Sequence, residues 1–328
     1  MDRVFSGIQP SGEVHIGNYL GALRNWMKVQ EQFECIYSVV DYHAITIDYD
    51  TKEMQRRILD LAAGVLACGV DPNKATLFVQ SDVSEHTELA WVFNAVTPMG
   101  ELSRQTQFKS KSEQHLDNIN AGLFTYPVLQ SADILLYKAN KVPVGQDQEQ
   151  HLELSREIAR KFNARFGKTF PEARTMFTNT PKIVGLDGQA KMSKSLGNTI
   201  RINAEPAEIK KKLSRAFTDP KRLRRDDPGN PDICNVYNLH GFFTDDAKRQ
   251  ELGAACRKGE VGCVDCKGVL CTTMTEHLNP IRERWQELKD HPQQVQDVLD
   301  AGRDKCKAIA ADTMGEVREK LGLKRGAK

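Results

Sequence analysis

Gly7-Ile8-Gln9-Pro10-Ser11-Gly12-Glu13-Val14-His15-Ile16-Gly17-Asn18-Tyr19 decides the fold. An apolar pair, Val4-Phe5, precedes it, and an amphipathic run to about Gln32 follows. The order is strand, glycine-rich turn, helix. Such a turn aims backbone N–H groups and a helix N-terminus at one spot, where a phosphate fits. A glycine-rich turn alone is a weak signal. His15-Ile16-Gly17-Asn18 is more specific, because it pairs a donor imidazole with a glycine that leaves room for a flat base. A second stretch far downstream, Lys191-Met192-Ser193-Lys194-Ser195, adds two lysines suited to act as point charges.

Outward from the turn, residues 35–40 form a continuous apolar run, as expected of a strand buried on both faces of a parallel sheet. Asp41-Tyr42-His43-Ala44-Ile45-Thr46 follows it, at the end of the strand where α/β sheets hold ligands. Met54, Ile58, Leu61, Val65 and Cys68 recur at helical spacing until Gly69 and Pro72 stop them. Thr76–Gln80 is the next strand, Glu85–Val96 a helix, and Gln130–Tyr137 another, with Asp133 among apolar neighbours. Lys141–Gly145 is a short strand, and Gln146-Asp147-Gln148 opens a long helix to about Phe166. These alternations predict a Rossmann-type parallel α/β sheet.

Beyond residue 186 the character changes. Residues 191–225 hold 11 Lys and Arg against 3 Asp and Glu, including Lys210-Lys211-Lys212. The expected organisation is a catalytic domain over 1–186, a mostly α-helical, cysteine-rich domain over 187–287, and a C-terminal helix over 288–328 that completes the first. Five of the eight cysteines lie between 234 and 271. Cys234, Cys256, Cys263 and Cys266 include one tight CxxC pair, a spacing suited to zinc, to an iron–sulfur cluster, or to neither if the thiols stay free. Cys35, Cys68 and Cys306 fall on apolar faces and read as core. The net charge of +2 over 328 residues neither implies nor excludes a nucleic-acid partner. No signal peptide or 18-residue apolar run is apparent, so the expected location is the cytoplasm, with no membrane partner.

His15–Asn18 and Lys191–Ser195 are similar to the two signatures of class I aminoacyl-tRNA synthetases. Phe5–Gly12, Asp41–Thr46, Tyr126–Tyr137 and Val142–Gln148 closely resemble the bacterial tryptophanyl-tRNA synthetases, in register from Val4 to about Asn198. The resemblance implies activation of L-tryptophan by ATP, as its Mg2+ complex, to tryptophanyl-adenylate and pyrophosphate. Transfer to the 3′ end of tRNA(Trp) follows, through the 2′-hydroxyl, with no editing site. It implies a homodimer with one tRNA across both subunits. It also implies a 4Fe-4S cluster on Cys234, Cys256, Cys263 and Cys266, since a subset of the family carries one on nearly this spacing; zinc is the alternative.

Carried over residue by residue, the resemblance makes His15, Asn18, Lys191 and Lys194 catalytic. It gives ATP, besides these, Gln9, Ser11, Gly17, Gly145, Asp147, Ile183 and Lys111. It gives tryptophan Phe5, His43, Tyr126, Gln130, Asp133, Val144 and Gln148. Asp133 would accept the indole N–H. Indole has one donor and no acceptor, so a carboxylate in an apolar pocket reads it specifically. Lys109 also falls in the polar segment before that helix. Residues 210–225 are the expected tRNA phosphate contact, with a solvated helix face as the plainer reading. The nearest rival is a tyrosyl-tRNA synthetase; a catalytically silent RNA-binding relative and another nucleotidyltransferase on the same sheet are more distant.

Overall fold

The computed structural model describes residues 2–105, 119–145, 149–177, 183–194 and 196–323, with the side chain of Val144 excepted. Five strands form one sheet: β1 (Arg3–Ile8), β2 (Glu34–Val39), β3 (Ala75–Val79), β4 (Lys141–Val144) and β5 (Arg174–Phe177). Their order is β3-β2-β1-β4-β5 and every pair is parallel. Chain connectivity reverses direction at β1, and open α/β sheets bind ligands at such a point. β1 pairs with β2 along its full length, from Arg3↔Glu34 to Ile8↔Val39. Its register with β4 is confined to Val4↔Lys141. The two strands part beyond that bridge, and a crevice opens between their C-terminal ends.

The helix after the first turn has three parts: α1 (Ile16–Asn18), a wide π turn (Tyr19–Leu23) and α2 (Arg24–Val29). α3 (Asp41–Ala44) caps β2, and α4 (Met54–Ala67) buries Ile58, Leu61, Ala62 and Val65 against the sheet. Gly69, at φ +110, ends that run as the sequence predicts. α5 (Glu85–Asn94), α6 (Met99–Ser103), α7 (Ala121–Leu136) and α8 (Glu149–Phe166) cover the other face.

α7 begins nine residues before the predicted Gln130. Pro127 lies inside it, and Asn120 caps it by accepting from the Leu123 N–H at 2.9 Å. β5 is not visible in the sequence pattern.

The second part is mostly helical: α9 (Pro206–Ser214), α10 (Asn235–Phe243), α11 (Asp246–Lys258) and α12 (Cys263–Asp290). α13 (Pro292–Lys320) then returns to the sheet. Leu299, Cys306, Ala310, Met314 and Val317 are buried at helical spacing. Gly302 is where the helix meets β3: an added Cβ would lie 1.9 Å from the Leu77 carbonyl oxygen. The helix thereby covers the sheet edge that β3 would otherwise leave open. Arg318 Nε donates to Glu88 of α5 at 2.8 Å and Lys138 pairs with Glu316 at 2.6 Å, fixing its far end. Cys35, Cys68 and Cys306 are buried as expected. Among the described residues, no helix is long and apolar enough to cross a membrane.

Candidate active site

The crevice between β1 and β4 is a cavity of about 500 Å³, within the range of small-molecule sites. Phe5, Ser6 and Gly7 of β1 form one wall, and Val142, Pro143 and Gly145 another. α7 contributes Tyr126, Gln130 and Asp133, one helical face at steps of four and three. Gln9 and His43 close the loop side. The helix after the first turn adds Gly21, Ala22, Asn25 and Trp26, four residues the sequence reading missed. The signal was available: 18, 21, 22 and 25 share the face that begins with Asn18.

Asp133 is 1% exposed and heavily bonded. Its Oδ2 accepts from His43 Nε2 at 2.7 Å, and its Oδ1 from both Gln80 Nε2 and His86 Nδ1 at 2.7 Å. Burial pushes its pKa up, but the charge and hydrogen bond of His43 and the bond from His86 outweigh this. The carboxyl is held well below the usual carboxylate range. Gln80 Oε1 accepts from the Tyr42 N–H at 3.1 Å, which settles the amide orientation and leaves Nε2 for Asp133. His86 Nε2 lies 2.7 Å from the Tyr137 hydroxyl, whose pKa burial raises well above the ordinary value. Asp133 Oδ1 and the Tyr137 hydroxyl thus engage the two ring nitrogens of His86, the carboxylate accepting from Nδ1. Gln80 and His86 also escaped the sequence reading. Gln80 ends β3 just as Asp41 follows β2, so the rule that ligands gather at strand C-termini, applied to β3, would have found it.

Tyr126 is near His43, edge to face at 6.3 Å, and its hydroxyl lies 3.1 Å from His151 Nε2. Burial pushes its pKa up to about 12, so it stays a phenol.

The other two signatures meet beside this cavity. His15 and Asn18 form a reciprocal cap: Asn18 N–H donates to His15 Nδ1 at 3.3 Å, and His15 N–H to Asn18 Oδ1 at 3.2 Å. Burial, then the cations of Lys194, Lys191 and Lys212, lowers the His15 pKa to about 4. The ring is neutral at pH 7. Because Nδ1 accepts, the proton sits on Nε2, and His15 offers one N–H donor. An added Cβ at Gly17 would lie 2.9 Å from that ring and 3.0 Å from Met192 Cβ, so only glycine fits between the two signatures.

A backbone strap ties them. Ile16 N–H donates to Ile200 O at 2.8 Å and Ile202 N–H to Val14 O at 3.1 Å. Lys191 pairs with Val184 as a bridge, and Met192 N–H donates to Ile183 O at 3.1 Å. Ile183 is thus buried beneath the lysine loop. Lys194 lies over Gly12, whose φ is +123; an added Cβ there would lie 3.3 Å from Nζ. Burial lowers the Lys194 pKa to about 8, opposed by Glu13 and aided by Arg57. Ser11 lies apart from the cavity, in a recess it shares with Glu13, Arg56 and Arg57. Lys109, Lys111, Gln146, Asp147, Gln148, Ser195 and the Val144 side chain lie outside the described residues.

The expectation of a 4Fe-4S cluster or zinc on Cys234, Cys256, Cys263 and Cys266 does not hold. Among the described residues, no group of three or more His, Cys, Asp or Glu is disposed to hold a metal ion. A cation of another kind stands there. Arg222 Nη1 lies 3.7 Å from Cys256 Sγ and 3.8 Å from Cys263 Sγ, with Nη2 held by Val261 O at 2.6 Å. Burial raises the Cys234 and Cys256 thiols and pushes Cys266 up to about 12.

The chain matches the family described as tRNA synthetases class I (W and Y) over residues 2–279. It belongs to the class I aminoacyl-tRNA synthetases. It is 49% identical to the tryptophan–tRNA ligase of Deinococcus radiodurans, across 98% of this chain and 99% of that one. It is 44% identical to that of Thermotoga maritima, with 98% and 99% covered. The tryptophanyl-tRNA synthetase of Campylobacter jejuni, solved with ADP and tryptophan, superposes with a TM-score of 0.89 at 38% identity, over 98% of this chain and 100% of that one. The activity is that of a tryptophan–tRNA ligase: ATP-dependent activation of tryptophan and its transfer to tRNA(Trp).

Proposed function

We propose that tryptophan is activated in the crevice between β1 and β4, with its indole N–H on Asp133 Oδ2. The single observation that carries this reading is a buried, ionised carboxylate at the back of an otherwise largely apolar cavity. Phe5 would flank the ring and Gln130 pack beside it, while His43 and Tyr126 hold polar edges. The Campylobacter relative binds tryptophan and ADP, which supports the same two ligands here.

ATP, as its Mg2+ complex, would then lie along the first turn. Gln9 and Gly145 flank the reacting carboxylate and ribose, and Gly17 leaves adenine access to the backbone. The neutral His15 Nε2–H and the Asn18 amide donate to phosphate oxygens. Lys191 and Lys194 stabilise the leaving pyrophosphate. Charge grows at these oxygens as tryptophan's carboxylate attacks the α-phosphate, so fixed donors act mainly on the transition state. No enzyme nucleophile is required.

The helical part would meet tRNA. Lys210, Lys211, Arg215, Lys221 and Arg224 are exposed and enter no ion pair among the described residues. Such cations suit phosphate contact. We assign residues 1–186, completed by α13, to the catalytic domain and 187–287 to a tRNA-binding domain whose first loop lends Lys191 and Lys194 to the active site. A homodimer is the proposed assembly, and Trp91 of α5, 75% exposed, and Met99 of α6, 68% exposed, favour a covered face there.

The test is tryptophan- and tyrosine-dependent ATP–pyrophosphate exchange, on the wild type and Asp133→Ala. The expected result is exchange with tryptophan alone, and loss of tryptophan affinity in the variant. An unchanged KM for tryptophan in Asp133→Ala would overturn the assignment of the indole site.

A further inference from the structure

We infer that His86 and Gln80 are specificity-determining positioning residues: they fill Asp133 Oδ1, so that the carboxylate presents one acceptor site, on Oδ2, to the amino-acid side chain. This rests on the reading of Asp133 as the indole acceptor and extends it to residues that do not touch the cavity.

A carboxylate has about four acceptor positions. Gln80 and His86 occupy both on Oδ1, each at 2.7 Å. His43 occupies one on Oδ2 at 2.7 Å. One position remains. Neither Gln80 nor His86 is free to turn away. Tyr42 N–H holds the Gln80 oxygen, and the Tyr137 hydroxyl holds His86 Nε2. All four residues, Gln80, His86, Asp133 and Tyr137, are at most 1% exposed, so water does not fill in for a missing partner.

The vacancy matches the ligand. Indole N–H donates once and accepts nothing, and it completes the carboxylate. A phenol hydroxyl also donates, but it brings an acceptor oxygen into a site whose donors are already engaged. That oxygen would be buried without a partner, a loss worth roughly tenfold to a hundredfold in binding. Removing His86 reverses the logic. Oδ1 then has an empty position, only Gln80 and His43 hold the carboxylate, and the single-vacancy geometry is lost.

His86→Leu and His86→Asn separate this from packing. Leucine keeps volume and removes the donor; asparagine loses volume and keeps an N–H near Nδ1. Exchange kinetics would be measured for tryptophan, tyrosine and ATP, with melting curves to verify folding. His86→Leu is expected to raise KM for tryptophan about tenfold or more and lower the tryptophan-over-tyrosine ratio about tenfold, with KM for ATP unchanged. His86→Asn is expected to stay within about threefold of the wild type. Wild-type behaviour of His86→Leu, or a worse defect in His86→Asn, overturns the inference. If His86→Leu does not fold, Tyr137→Phe decides. It keeps the ring stacked on Phe5 and frees His86, and should raise KM for tryptophan about threefold; no change overturns the inference. Asp133→Asn is the control. If it spares tryptophan KM, the indole assignment falls and this inference with it. If it is selectively impaired while His86→Leu is not, only the inference falls.

Discussion

Lys194 should make adenylate formation fail at alkaline pH well before an ordinary lysine would. Its ammonium is partly buried over Gly12, beside Arg57, and its pKa is lowered to about 8. At pH 7 about nine-tenths of the free enzyme carries the charge; at pH 9 about one-tenth does. If the charge stabilises the leaving pyrophosphate, kcat/KM for ATP falls about tenfold from pH 7 to 9, and tenfold more per further unit. A lysine at its usual pKa would leave the profile flat over that span. Loss of the fold does not mimic the effect. The folded state holds this group with a lowered pKa, so between pH 8 and the unfolded value the unfolded chain binds more protons. The Lys194 contribution to stability therefore rises with pH while activity falls. The assay is initial-rate ATP–pyrophosphate exchange at saturating tryptophan, from pH 6.5 to 9.5. Lys194→Arg is the companion, because a guanidinium stays charged throughout. It should be slower overall and lose the alkaline fall. A wild-type profile flat to pH 9.5, or a parallel fall in Lys194→Arg, would refute the reasoning.

Three further outcomes are expected. Gly17→Ala pushes the His15 ring and Met192 apart and breaks the reciprocal cap with Asn18, so kcat for exchange should drop about a hundredfold; a drop under about threefold would count against it. Gly302→Ala drives a methyl into the Leu77 carbonyl, and chemical denaturation should find about 3 kcal/mol lost, whereas under about 0.5 kcal/mol would mean that α13 does not seal β3. Replacing Lys210 and Lys211 by Gln should weaken aminoacylation at moderate salt and flatten its log–log salt dependence by about one to two, leaving exchange intact; an unchanged slope would remove them from the tRNA face.

The parts of this molecule legible in the sequence are those fixed by neighbours along the chain. β2 and β3 announce themselves as continuous apolar runs, α4 by its helical period and Gly69, α13 by Pro292 and a long stripe. Pro127 hides the first half of α7, since a proline signals a helix end unless tertiary packing overrides it. β5 is four residues, too short for a period to show. The site divides the same way. Asp133 stands out among apolar neighbours, but Gln80 and His86 reach it from 53 and 47 residues away, a distance no local pattern spans. The cysteines mislead for the converse reason. Their spacing suggests a metal, but Arg222, 34 residues before Cys256 along the chain, supplies a guanidinium between two of the sulfurs. Spacing records which ligands are near one another in sequence and is silent about what else arrives.

The position of α13 bears on how the protein is made. From Cys306 onward its buried face belongs to the same apolar cluster as Phe78, Phe93 and Phe162, yet it emerges from the ribosome after the whole helical part. At bacterial elongation rates, on the order of ten seconds or more pass between the appearance of β5 and that of α13. Through that interval the nascent sheet carries an unsealed β3 edge and a bare apolar groove, the kind of surface chaperones hold. A message truncated before Pro292 would yield a chain with every signature residue present and no closed sheet to mount them on.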